Sequence, residues 1–117
     1  METRRSTGAR GEDTAAAFLA RRGWQILERN VRYREGELDI IAFKDGVLAF
    51  VEVKTRRSVR SGTGAEAVTP VKQARIRRLA MRYLSEHHPK VDAVRFDVIE
   101  LRVGADRYLV RHFEAAF

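Results

Sequence analysis

The spacing of apolar residues along this chain switches between a helical period of 3.6 and a strand period of 2, and the switches mark out seven elements. A helix is predicted from about Thr7 to Arg22. Ala15, Ala16 and Leu19 share one of its faces, Gly23 stands just past its end, and Arg21 and Arg22 suit its negative pole. Residues 1–6 read as a flexible tail. Trp24 to Tyr33 reads as a strand with Ile26 and Leu27 at its apolar centre. Glu37 to Phe43 and Val47 to Lys54 read as strong strands on either side of Asp45-Gly46, a two-residue hairpin signal. Residues 56–66 are polar, basic and Gly-rich and read as a mobile loop. Thr69-Pro70 is a cap followed by proline at the first helical position, and the helix it starts runs to about His88, before Pro89. Ile76, Leu79, Ala80, Tyr83 and Leu84 form its apolar stripe. Val94 to Leu101 and Tyr108 to Phe113 complete the set, with a turn at residues 104–106. The order α-β-β-β-α-β-β predicts an α/β fold, a mixed β-sheet flanked by helices, in one domain over residues 1–117 without repeats.

The hairpin carries the sharpest inference. With Asp45 and Gly46 as turn residues, Lys44 faces Val47, Phe43 faces Leu48, Ile41 faces Phe50, Asp39 faces Glu52 and Glu37 faces Lys54. Side chains alternate, so the last four pairs share one face, apolar near the turn and charged at the far end. Directly opposed carboxylates destabilise a sheet. Such a pair must protonate one member, bind a cation or stay wet. A divalent metal with oxygen ligands resolves the conflict, since Mg²⁺ takes one or two carboxylates plus water and substrate phosphate. A solvated strand end whose acids pair with nearby Arg is the alternative.

The first helix adds a further acid. Glu12 is in phase with Ala15, Ala16 and Leu19, and an acid on a core-facing stripe needs a partner. The proposed cation supplies one; a marginal Glu paired with Arg10 or another Arg is the bland reading. Gly8 and Gly11 lie near the same side and permit close packing. Lys72 shares the angular range of Ile76, Leu79 and Tyr83, so it either reaches inward at the helix start or snorkels. Gln73 is equally ambiguous. Arg75, Arg78 and Arg82 form a separate basic stripe. His87 and His88 point about 100° apart and suit the helix C-terminus better than a metal. His112 stands alone on its strand. Asp97 alternates with buried positions and reads as a structural acid paired to an Arg. Ser58 and Ser61 lack a His partner, and no Gly-rich phosphate loop precedes a helix.

Composition narrows the class. The 117 residues suffice for one core, and 44% hydrophobic with 33% charged is a globular balance. The absence of cysteine excludes a disulfide framework, a zinc finger, an iron–sulfur site and a cysteine nucleophile. Apolar runs are short and broken by charge, and residues 1–5 lead into no apolar segment. No membrane partner and no signal peptide are therefore expected, and a cytoplasmic location is. The net charge is +7, and it is uneven. From Lys54 to Arg82 nine basic residues stand against Glu66 alone, a net of +8, which leaves about −1 for the rest. A one-sign segment repels itself unless something anionic meets it, and nucleic acid is the usual partner. A solvated surface or an acidic protein partner would also serve.

Several blocks resemble a known family: Gly8-x-x-Gly11-Glu12, residues 36–42 (GELDIIA), residues 50–56 (FVEVKTR), Glu66-Ala67-Val68, residues 72–76 (KQARI) and residues 95–99 (RFDVI). Together they look like the YraN family, small bacterial proteins with a restriction-endonuclease-like fold in the PD-(D/E)xK nuclease superfamily, similar in outline to archaeal Holliday-junction resolvases. The resemblance spans roughly residues 8–101. It implies that Asp39 is the motif acid, Glu52 and Lys54 the E-x-K pair, and Glu12 the acid of the first helix. Leu38 stands where the superfamily motif has proline. On this reading Asp39 and Glu52, with Glu12 directly or through water and the Val53 carbonyl as a further donor, would hold Mg²⁺ or Mn²⁺. Lys54 would activate water and stabilise the transition state, with Glu37 opposite to hold it in place and Gln73 in support. Arg56, Arg57, Arg60, Lys72, Arg75, Arg78 and Arg82 would grip backbone phosphates. The expected activity is hydrolysis of phosphodiester bonds in nucleic acid, DNA first and branched DNA among the candidates, and a homodimer would suit a two-stranded substrate. A non-cleaving nucleic-acid-binding module on the same fold, and a protein-interaction domain, remain open.

Overall fold

The computed structural model describes residues 4–57 and 68–117, with side chains from Gly11 onward in the first segment. Helix α1 (Arg4–Arg21) precedes strands β1 (Gln25–Tyr33), β2 (Gly36–Lys44) and β3 (Val47–Arg56); helix α2 (Pro70–His87) then leads to β4 (Ala93–Val103) and β5 (Tyr108–Phe113). The five strands form one mixed sheet in chain order. All neighbours are antiparallel except β3 and β4, whose parallel pairing requires the α2 crossover. The predicted fold class and element order are those observed. Among the described residues no helix is long and apolar enough to cross a membrane.

Three boundaries differ from expectation by two residues or more for local reasons, β4 among them, which runs to Val103 because that residue pairs with Tyr108 of β5. α1 begins at Arg4 and takes in part of the stretch read as a tail, since Arg and Ser tolerate a helix and no proline stops it. β3 runs two residues past Lys54, because β4 keeps pairing with it at Thr55–Leu101 and Arg56–Arg102. Arg56 is thus strand and not loop. Residues 58–66 of the predicted loop, with Arg60 and Glu66, lie outside the described residues.

The turn between β2 and β3 has Asp45 at φ 49° and Gly46 at φ 81°, both left-handed, as a twisted two-residue hairpin demands. The register is the predicted one from Lys44–Val47 to Ile40–Val51. Alternation then builds two cores. On one side Ile40, Ala42, Ala49, Val51, Ile99 and Leu101 pack with Ala15, Ala16 and Leu19 of α1. On the other Leu38, Ile41, Leu48, Phe50 and Val98 pack with Ile76, Leu79, Ala80 and Tyr83 of α2. Gly11 permits the close seat of α1: a Cβ there would lie 2.9 Å from Thr55 Oγ1. Thr69 caps α2 by accepting from the Lys72 N–H, with Pro70 behind it. At the other end His88 adopts φ 48° and returns its backbone N–H to the Leu84 carbonyl, while His87 Nδ1 lies 3.0 Å from the Tyr83 carbonyl in the last turn.

The fully buried Asp97 holds β4 to its surroundings. Arg95 donates to both carboxylate oxygens at 2.9 Å, and the Ala115 N–H donates at 3.0 Å. His112 is not alone: its Nε2 lies 2.8 Å from Asp97, and its ring meets the edges of Phe18 and Trp24. Burial alone would raise the Asp97 pKa, but the hydrogen bonds from His112, Arg95 and the Ala115 amide outweigh it and hold the carboxyl below its usual value. A depressed carboxyl stabilises the fold above the unfolded-state pKa near 3.8, and that contribution is lost as pH falls through the folded-state value. Asp97→Asn keeps the shape and removes the charge. It is expected to cost about 2 kcal/mol at pH 7, the scale of a charge-assisted hydrogen bond, read as a lower urea midpoint with an unchanged slope.

Candidate metal centre and its basic edge

The hairpin ladder stops at Ile40–Val51, one step short of the two acids. Leu38 and Ile41 belong to the same core although they are three residues apart, so β2 departs from strict alternation at Asp39. β1 is irregular at the same level. Asn30, opposite Asp39, adopts φ 54°, and the β1–β2 ladder skips from Arg29–Ile40 to Val31–Leu38. Asp39 and Glu52 are therefore not a ladder pair, and neither are Glu37 and Lys54. Where a cross-strand bond would form, Asp39 Oδ2 accepts from the Val53 N–H at 2.9 Å. Two like charges opposed in a half-buried ladder are unfavourable, and the splay lets a backbone donor reach one of them.

The irregular strands and α1 bring three carboxylates together. Glu12, Glu37 and Asp39, all half-buried, each offer an oxygen within 4.8 Å of the others. Glu12 is set by its neighbours on α1 and β1: Arg29 pairs with Asp13 at 2.7 Å, and the Asn30 side chain hydrogen-bonds Glu12. Glu37 is not the holder of Lys54. Its oxygen takes Arg32 of β1 at 2.8 Å and its charge falls on Glu12. Burial raises the Glu12 pKa against the Asn30 hydrogen bond, and Glu37 adds to the rise. The effect is larger at Asp39, pushed up to about 8, first by burial and then by the charge of Glu52, with the Val53 N–H opposing. Protein charge thus leaves the cluster uncompensated enough to retain a proton near neutral pH. Three acid oxygens at this spacing fit a hard cation with oxygen ligands, Mg²⁺ or Mn²⁺.

Glu52 touches this cluster from β3 and hydrogen-bonds Asp39, but its own charge is met elsewhere. Lys72 Nζ lies 2.6 Å from Glu52 Oε2. Lys72 therefore reaches inward, as one of its two readings anticipated. Gln73 does not join: its amide donates to the Val68 carbonyl at 2.9 Å and fixes the entry to α2. Lys54 follows Glu52 by two residues on β3 and is half-buried. Its neighbour on β4, the buried Glu100, is taken by Arg56 at 2.9 Å and Arg102 at 3.3 Å. No acid among the described residues forms an ion pair with Lys54.

The basic segment is less naked than its sequence suggests. Glu100 meets Arg56, Glu52 meets Lys72, and Arg82 pairs with Glu35 and Glu86 at 3.3 Å each while lying over the Tyr33 ring. Arg57, Arg75 and Arg78 form no ion pair among the described residues. Gly36, at the start of β2, lets Arg75 lie across the strand just before Glu37. The basic edge of α2 thus runs alongside the acid cluster. Two members were missed from sequence, Asn30 and Arg32. Asn30 left one signal, since Asn inside a strand is the ordinary residue that accepts a left-handed backbone.

The sequence profile of the family described as "Uncharacterised protein family UPF0102" matches residues 11–101, which includes every acid of the cluster. A UPF0102 protein of Symbiobacterium thermophilum is 50% identical over 114 residues, covering 97% of each chain. One of Frankia casuarinae is 48% identical over 118 residues, covering both chains fully. One of Chlorobaculum parvum is 46% identical, covering 94% of this chain and 90% of its own.

Proposed function

This chain belongs to the uncharacterised protein family UPF0102, the YraN family of the sequence resemblance, and we propose that it is a divalent-metal-dependent endonuclease acting on the phosphodiester backbone of DNA. The reading rests on one observation: Glu12, Glu37 and Asp39 converge within 4.8 Å beside Glu52, and two residues further along the strand stands Lys54, which forms no ion pair among the described residues. Glu12, Glu37 and Asp39 would hold Mg²⁺ or Mn²⁺. A cation there supplies a water of lowered pKa and offsets charge on a phosphate oxygen. Lys54 would donate to the oxygens that gain charge in the transition state. Lys72, Arg75 and Arg78 would position the backbone without reading its sequence. Calorimetric titration with Mn²⁺, followed by incubation with a panel of junction, flap, single-stranded and duplex DNA, tests it. Binding of Mn²⁺ with metal-dependent nicking is expected; no Mn²⁺ binding overturns it. The Lys72–Glu52 ion pair favours a second reading, a DNA-binding module that does not cut, for which Mn²⁺ would change neither binding nor substrate.

The engaged arginines change the expected salt response. Among the described residues Arg57, Lys72, Arg75 and Arg78 are the contacts left for phosphate, so log affinity against log salt should slope at about −4 on duplex DNA, at roughly −0.9 per contact. Arg75→Ala with Arg78→Ala should flatten that slope by about 2 on all sequences alike. Arg82→Ala, which loses Glu35, Glu86 and the Tyr33 ring, should instead lower thermal stability and leave the slope unchanged. Fluorescence anisotropy at several salt concentrations reads both.

A further inference from the structure

Glu52 is almost wholly buried, yet it is not one of the three carboxylates that share a cation-sized space. Its charge is carried by Lys72. The Lys72 side chain is 34% exposed against 8% for Glu52, so the ammonium faces the acid on one side and solvent on the other. It leaves α2 one turn before Arg75, on the helix edge that borders the cluster. Its stem is flexible and its head is a compact charge, which exchanges one anion for another without the planar fit that an Arg would need.

We infer that Lys72 is the resident counter-ion of Glu52: it withholds that carboxylate from a cation at Glu12, Glu37 and Asp39 until a nucleic-acid phosphate draws the ammonium away. The inference rests on the metal-site reading above. Its logic is charge balance. With Lys72 in place Glu52 is neutralised, and a cation finds three acids. With Lys72 on a phosphate, Glu52 becomes an uncompensated, nearly buried carboxylate beside Asp39, and a divalent cation is the group that relieves it. Phosphate and cation then favour each other's binding through one side chain.

Lys72→Met, Glu52→Gln and the double variant form a cycle with two readouts, Mn²⁺ affinity by calorimetry and duplex DNA affinity without metal by anisotropy. Lys72→Met should bind Mn²⁺ on the order of tenfold more tightly than wild type. That gain should vanish in the Glu52→Gln background. Plain removal of a repelling charge would give a gain that persists there. In the metal-free arm Glu52→Gln should bind DNA several-fold more tightly, because Lys72 is released to phosphate, and the gain should vanish when Lys72 is Met. Wild-type protein that takes no Mn²⁺ overturns the metal-site reading and this inference with it. Wild-type protein that takes Mn²⁺, while Lys72→Met binds it no better or keeps its gain with Glu52→Gln, overturns this inference alone. Circular dichroism checks each fold, and Lys72→Gln replaces Lys72→Met should the latter not fold.

Discussion

Lys54→Ala is expected to lower the rate of DNA cleavage by a factor on the order of 100 or more while Mn²⁺ affinity and DNA affinity stay within about twofold of wild type. The selectivity follows from where the side chain stands. Lys54 is not among the three acids that share the cation space, so the variant keeps its metal ligands. Glu100 beside it is already met by Arg56 and Arg102, so no buried acid is orphaned and the fold should hold. A factor of 100 corresponds to about 2.7 kcal/mol of transition-state stabilisation, the scale of one well-aimed donor. Single-turnover cleavage at saturating protein separates this loss from weaker binding. A cleavage rate unchanged in the variant would remove Lys54 from the chemistry.

The half of the site that could be read from sequence is the half set by short-range rules. Asp45-Gly46 fixes the turn, the turn fixes the register, and the register carries Asp39 and Glu52 to the same end of the same two strands. The pairing rule assumes that the ladder continues, and it fails where the charges make continuation costly. The splay at Asp39 needs Asn30 of β1 in a left-handed conformation and the Val53 N–H turned to a side chain. Neither is visible in a two-strand pattern. Glu37 was placed opposite Lys54 by arithmetic, whereas β1 claims it through Arg32. Helical phase was more durable, and Lys72 does point inward as one of its readings had it. Glu35 for Arg82 and Glu100 for Arg56 escaped notice because they are supplied by the β1–β2 turn and by β4, tens of residues away in sequence, whereas Glu86, one turn along α2 from Arg82, was within reach of the i,i+4 rule. Charge counted along a chain overstates the free charge of a surface for this reason.

Asp39→Asn is expected to weaken Mn²⁺ binding by at least about 100-fold and, without metal, to make the protein more stable at pH 8. The sign follows from the raised carboxyl. Asp39 titrates near 8 in the folded protein, against an ordinary value of 3.8, because burial and the charge of Glu52 disfavour its ionised form. The folded state therefore holds a proton that the unfolded chain gives up. Its contribution to stability is fully present below about pH 4, declines as pH rises, and is gone above about pH 8. Asn resembles the protonated acid and still accepts from the Val53 N–H, so the variant should match wild type near pH 4. At pH 8 it should be the more stable by on the order of 1–3 kcal/mol, less than the full shift would give because neighbours relax. Glu12, Glu37, Glu52 and Lys72 surround the position, so part of the decline will survive in the variant through Glu12, whose pKa is also raised. Below pH 4 both proteins should lose stability together as Asp97 protonates. Mn²⁺ reverses the order: it binds the ionised cluster, competes with the proton and stabilises wild type alone, more strongly as pH approaches 8. Thermal melts of both proteins from pH 4 to 8, with and without Mn²⁺, read all of this in one series. A variant less stable than wild type at pH 8 without metal, or one that Mn²⁺ stabilises as it does wild type, would show that Asp39 is a structural hydrogen-bond acceptor for β3 and not a cation ligand.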